Sequence, residues 1–176
     1  MNEYIKLARS TIETYIKTGK KIVIPKNLPE EFYNCQKGVF VTIYEKNGNS
    51  AGKKLRGCIG TFQPTKENIA QEIIDNAISA AIHDYRFDPV TEKDLSNLSY
   101  EVSLLNPPEQ IDSIENLDTK KYGVIVKSQN GKIGLLLPDI EGIDTPKHQI
   151  SIACQKAKIN LNEEKIELFR FTVSKY

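Results

Sequence analysis

Helices and antiparallel strands mixed in one chain are what this sequence predicts, from three observations. Apolar side chains recur at helical spacing over residues 4–16 and again over 69–82, the second run painting a broad face. Residues 39–44 form a β-branched and aromatic run of the kind that suits a pleated, half-buried surface. Asn130-Gly131, set between two apolar runs, is the strongest short-range hairpin signal in the chain. A length of 176 residues fits one domain with its own core and leaves room for a minor lobe.

In order, Tyr4, Ala8, Ile12, Tyr15 and Ile16 mark an amphipathic opening helix, stopped by Gly19 among Lys17, Lys20 and Lys21. Pro25 and Pro29 interrupt regular structure between residues 22 and 38. The strand over 39–44 is followed by a turn signal at Asn47-Gly48, and residues 54–61 return as the second strand of a long-looped hairpin. Thr65 is the expected N-cap of the central helix, whose Ile69, Ala70, Ile73, Ile74, Ala77, Ile78, Ala81 and Ile82 point to burial. That helix runs into a loop of charges and aromatics, His83 to Pro89. Residues 100–105 alternate as a strand ended by Pro107-Pro108, with Glu101 and Ser103 on its less apolar face. The hairpin at Asn130-Gly131 joins 124–126 to 133–137 through a tight turn. Thr145 and Pro146 cap and begin a helix with Ile150, Ala153, Cys154 and Ala157 on its core stripe. A final strand is expected over 166–173.

Charge and cysteine usage narrow the functions. Lys and Arg total 24 against 23 Asp and Glu, a net charge of +1, so no global field attracts nucleic acid or a membrane. Three separated cysteines, Cys35, Cys58 and Cys154, argue against a disulfide framework and suit the reducing cytoplasm. The start lacks an apolar signal core, and no apolar run approaches the roughly 18 residues of a spanning helix. His83 and His148 are the two histidines and neither pairs closely with a cysteine, so no metal is expected; no cofactor is expected either, because nucleotide loops of Rossmann or P-loop spacing are absent.

The chemistry concentrates in Leu55-Arg56-Gly57-Cys58-Ile59-Gly60-Thr61-Phe62. In an extended segment Arg56, Cys58 and Gly60 share one face and Leu55, Gly57 and Ile59 the other. A neighbouring Arg favours the thiolate of Cys58, making it a candidate nucleophile or ligand-binding thiol; the plain alternative is a small buried residue. Arg56 suits a carboxylate or phosphate held in a fork, or an internal acid such as Glu101 or Asp84. Gly57 and Gly60 either offer backbone N–H groups to an anion or mark tight packing, and Thr61 completes the candidate binding set. Asp84 and Glu101 are candidates for proton handling, with His83 and Arg86 as substrate anchors; a helix-terminal His is also a simple cap.

This octapeptide, Gly38-Val39-Phe40-Val41-Thr42, Arg86-Phe87 with Asp88-Pro89-Val90, Glu101-Val102-Ser103, Gly134-Leu135-Leu136-Leu137-Pro138 and Glu167-Leu168-Phe169-Arg170-Phe171-Thr172 together resemble the AMMECR domain family, over nearly the whole chain. The resemblance implies an α+β fold, a mostly antiparallel sheet with packed helices, in a larger and a smaller lobe with the motif near a cleft between them. One departure is visible: the family usually carries Asp-Pro-Arg-Phe after the central helix, where this chain has Asp84-Tyr85-Arg86-Phe87. The family often accompanies Memo-like and radical-SAM proteins and carries no defined reaction. Three functions therefore stand open: an enzyme or enzyme component for a small anionic substrate, a noncatalytic adaptor for a Memo-like or radical-SAM partner, and, least favoured, an RNA-binding module. The oligomeric state is not legible.

Overall fold

The computed structural model describes residues 2–46 and 54–176, so the expected Asn47-Gly48 turn lies outside the described residues. The chain divides into two compact units, Met1–Leu104 with Lys175–Tyr176, and Leu105–Ser174.

In the first unit, helix α1 (Glu3–Thr18) begins where the Asn2 side chain accepts the Tyr4 N–H and ends at Gly19, whose φ of 67° lets its N–H reach Tyr15 O. It buries Tyr4, Leu7, Ala8 and Ile12. A one-turn helix, α2 (Glu31–Asn34), falls in the stretch expected to be irregular and delivers Phe32 to the core, its ring stacked 4.4 Å from Tyr4. Strands β1 (Val39–Glu45), β2 (Lys54–Thr61) and β3 (Leu98–Leu105) pair antiparallel, Thr42 lying opposite Cys58 on one side and opposite Glu101 on the other. Helix α3 (Ile69–Ile82) packs on β1 and β2. Its buried Ile69, Ile73, Ile74 and Ala77 meet Val39, Val41 and Ile43 in one core. Gly57 is required there, because a Cβ would stand 2.2 Å from Ala80 O.

The N-cap of α3 is Asn68, not Thr65 as the sequence suggested. Asn68 has the extended backbone of a cap and accepts the Gln71 N–H, whereas the Thr65 hydroxyl is taken by Glu72.

In the second unit, β4 (Glu109–Ile111), β7 (Ile166–Phe171), β5 (Gly123–Ser128) and β6 (Ile133–Leu136) lie in that order, with helix α4 (Pro146–Ala157) against β5 and β6. Val124, Val126, Leu136, Ile150, Ala153 and Cys154 form its core. Thr145 and Pro146 begin α4 as the spacing predicted. The β5–β6 turn is a three-residue loop closed by the Ser128 N–H on Lys132 O, with Gly131 at a φ of 79°. β4 was missed behind Pro107-Pro108. The single final strand expected over 166–173 is two strands, β7 and β8 (Val173–Lys175), assigned to different sheets. The break falls at Thr172, whose hydroxyl and carbonyl accept from Asn106. The first unit's sheet runs β2-β1-β3 and takes the end of β8 beside β3, where Tyr176 exchanges backbone hydrogen bonds with Val102.

Four helices and two antiparallel sheets among the described residues make this an α+β fold. No helix among them is long and apolar enough to cross a membrane.

Candidate functional site

β2 is the edge strand of its sheet, and its pleat separates the octapeptide into two sets. Gly57, Ile59 and Thr61 turn toward α3: Gly57 abuts Ala80 O, Ile59 packs on the core, and the Thr61 hydroxyl donates to Glu72 Oε1 at 2.6 Å. Glu72 is 1% exposed, and its carboxylate is satisfied further by the Thr65 and Lys66 N–H groups and the Thr65 hydroxyl. Thr61 therefore joins a buried staple between β2 and α3, on the face opposite Cys58.

Arg56, Cys58 and Gly60 share the other set, and at Cys58 the strand edge is closed. The Cys58 N–H donates to Asp84 Oδ2 at 2.8 Å, and the Cys58 carbonyl accepts from Arg86 Nη2 at 3.1 Å. Asp84 and Arg86 are locked together, with Nε on Oδ1 at 2.9 Å and Nη2 on Oδ2 at 2.7 Å. This pair gives one residue of β2 what a further strand would give it, and so blunts the exposed edge. The loop forms a turn in which the Phe87 N–H returns to Asp84 O at 3.0 Å, with Asp84 at its first position and Tyr85 at its second. Aspartate is favoured at the first of these and proline at the second, so Asp-Pro, the pair the resemblance implies here, also suits this turn. Asp84 is buried, and the Arg86 guanidinium, aided by the Cys58 N–H, holds its carboxyl down to about 2 against the cost of burial.

The thiol behaves otherwise than expected. Cys58 Sγ lies 3.3 Å from Thr42 Oγ1, and strand register continues the row to Glu101, so thiol, hydroxyl and carboxyl follow one another across three strands. Burial pushes the Cys58 thiol up, outweighing the Thr42 hydrogen bond and the positive charge of Arg86. The arginine acting on it is Arg86, while Arg56 turns elsewhere. Arg56 donates through Nη1 to Asp88 O at 2.6 Å and through Nη2 to Pro89 O at 3.2 Å, and it lies 3.7 Å from Glu45 and from Asp94. Its acids are those two, in place of the Glu101 or Asp84 expected. At Gly60 the space a Cβ would fill is held by the Phe40 ring, 2.3 Å away, so both glycines serve close approach. His83 is exposed and is the C-cap of α3, its N–H donating to Ser79 O.

A hollow opens beside β2, walled by Glu45, Lys54, Arg56, Tyr85, Arg86, Phe87, Asp88 and Asp94. Cys58, Glu101 and His83 are not among its walls. Three cations face three acids, but two of the acids are engaged: Glu45 with Lys54 and Arg56, Asp94 with the Thr91 N–H and hydroxyl as well as Arg56. The Arg86 side chain is 45% exposed, and its Nη1 makes no hydrogen bond among the described residues. Its guanidinium carbon sits 5.4 Å from the Phe87 ring centre. Sequence reasoning missed Thr42, Glu45, Tyr85, Phe87 and Asp94. Thr42 is deducible once the β1–β2 register is known, and Tyr85 and Phe87 flank Arg86 in the loop of charges and aromatics already marked; Glu45 and Asp94 are brought to Arg56 by tertiary contacts. No three His, Cys, Asp or Glu side chains among the described residues are grouped to hold a metal ion.

Comparison with known proteins places this arrangement among relatives. A protein of Thermotoga maritima is 47% identical over 173 residues, covering 98% of this chain and 96% of its own. Protein CA_C1420 of Clostridium acetobutylicum is 45% identical over 138 residues, which are 78% of this chain and 28% of that longer one. The crystal structure of PH0010 from Pyrococcus horikoshii superposes with a TM-score of 0.86 at 34% identity, covering 98% of this chain and 88% of that one. The sequence pattern of the AMMECR1 family matches residues 5–176, and the chain belongs to that family.

Proposed function

We propose that this protein binds a small anionic ligand in the hollow beside β2, as an enzyme or as the substrate-holding component of one. Arg86 carries the reading: its guanidinium is anchored on Asp84 and on Cys58 O, and among the described residues its Nη1 edge is uncommitted in a hollow that also contains Lys54. A guanidinium already held in place loses little freedom when it grips a carboxylate or phosphate. Asp84, ionised throughout the neutral range, is a positioning residue in this scheme. Cys58, two residues along β2 from Arg56 on the same face but outside the walls of the hollow, is the candidate thiol of the enzyme form of this reading, and Glu101, beyond Thr42 in the same row, its candidate acid. Titration of the full chain with inorganic phosphate and with acetate, followed by amide NMR, tests the binding step. Saturable shifts at residues 84–88 that Arg86→Gln removes are expected; their absence in the wild type contradicts the reading.

A second reading is a noncatalytic adaptor for a protein partner, with Memo-like and radical-SAM proteins as the candidates the family resemblance suggests. Tyr85, 95% exposed beside Arg86, favours it, since Tyr and Arg are common interface anchors. So does the Clostridium relative, in which the matched region is 28% of a longer chain. Co-purification of such a partner from native cells, lost with Tyr85→Ala, supports this reading; retention of the partner by that variant argues against it. RNA binding is disfavoured by a net charge of +1. A cytoplasmic location is part of the proposal and is supported by three free cysteines.

A further inference from the structure

Anion binding through Arg86 leaves Tyr85 unused. Its side chain is 95% exposed, yet both neighbours are fixed: Asp84 holds the Cys58 N–H and Arg86 the Cys58 carbonyl. The Phe87 N–H closes the same turn on Asp84 O, so the phenol projects from a backbone tied down at three points. Exposure of one aromatic side chain is ordinary in itself. Here Tyr85 is among the residues that line the same hollow as Arg86, whose Nη1 makes no hydrogen bond among the described residues, while the Phe87 ring is already met by that guanidinium. The hollow also balances three cations against three acids, so long-range attraction contributes little and a bare hydrated anion has Arg86 and Lys54 as its main holds. A ligand that adds flat apolar contact gains where charge alone does not.

We infer that the ligand class of this hollow is an aromatic anion, a carboxylate or phosphate borne on a planar ring, its charge on Arg86 and Lys54 and its ring on Tyr85. The inference rests on the anion-binding reading above. Both head groups share this chemistry, and separate arms of the test distinguish them.

Calorimetric titration of the full chain compares benzoate with acetate and phenyl phosphate with inorganic phosphate. The ring-bearing member of at least one pair is expected to bind about three- to ten-fold more tightly, the range an aromatic contact confers. Tyr85→Ala and Tyr85→Leu should reduce that ratio to near one while leaving the affinity for the ring-free anion within about two-fold; Tyr85→Phe should keep the ratio. Because Tyr85 is exposed, these variants test the ring without disturbing the core. Binding of the ring-free anion with no preference in either pair, or a preference that survives Tyr85→Ala, overturns the inference and leaves the anion-binding reading standing. Failure of all four probes to bind overturns both.

Discussion

At Cys58 burial and charge oppose one another, and burial prevails. The thiol is raised by desolvation despite Thr42 and Arg86, so it is protonated at neutral pH and a slow nucleophile toward added reagents. Alkylation by iodoacetamide followed by peptide mass analysis should therefore modify exposed Cys35 well before Cys58 at pH 7.5, with the Cys58 rate rising as pH passes above the usual thiol range. Rapid labelling of Cys58 at neutral pH contradicts this account of its environment. At Gly57 the constraint is steric: Gly57→Ala sets a methyl group against Ala80 O and should cost about 3 kcal/mol, read as a lowered denaturation midpoint. Tyr85 sits where a turn favours proline, and Tyr85→Pro should stabilise the fold by about 0.4–1 kcal/mol while removing the exposed ring. The alternation of faces along residues 55–62 was legible because side-chain period follows from an extended backbone. Which acid Arg56 meets was not, because Glu45 and Asp94 approach it from other segments.

Among the elements, the closed edge of β2 depends on one buried carboxylate. Asp84 titrates near 2 when folded and near 4 when unfolded, so its ionised form stabilises the fold by about 2 kcal/mol above roughly pH 4. That contribution is lost as pH falls from about 4 toward 2. Urea unfolding of Asp84→Asn should show a loss of about this size at pH 7 and a smaller decline in stability between pH 4 and 2 than the wild type shows. Equal pH dependence in the two proteins argues against the clip. Helices α1, α3 and α4 were legible from their apolar stripes, and Gly19 and Thr145-Pro146 marked ends correctly. The cap of α3 was misplaced because Thr65 and Asn68 are both good N-caps, and the choice is made by Glu72, which draws the Thr65 hydroxyl. The division of the final strand was hidden for a similar reason: residues 166–173 are rich in β formers throughout, and the break is imposed by Asn106, distant in sequence.

For the whole molecule, membership of the AMMECR1 family and the α+β fold agree with the sequence reading: the family pattern matches residues 5–176, and four helices and two antiparallel sheets are present among the described residues. A near-neutral chain and a charge-balanced hollow point to short-range recognition, so anion affinity should fall only modestly with salt, unlike a phosphate-tracking surface. The octapeptide holds β2 against α3 with one face and, with its Cys58 backbone, fixes Arg86 at the strand edge with the other. The most direct test is a crystal of the full chain soaked with phenyl phosphate. The account predicts phosphate oxygens within hydrogen-bonding distance of Arg86 Nη1 and Lys54 Nζ, with the ring against Tyr85. A hollow that remains empty at a concentration saturating the protein in solution, or a ligand bound away from Arg86, contradicts it.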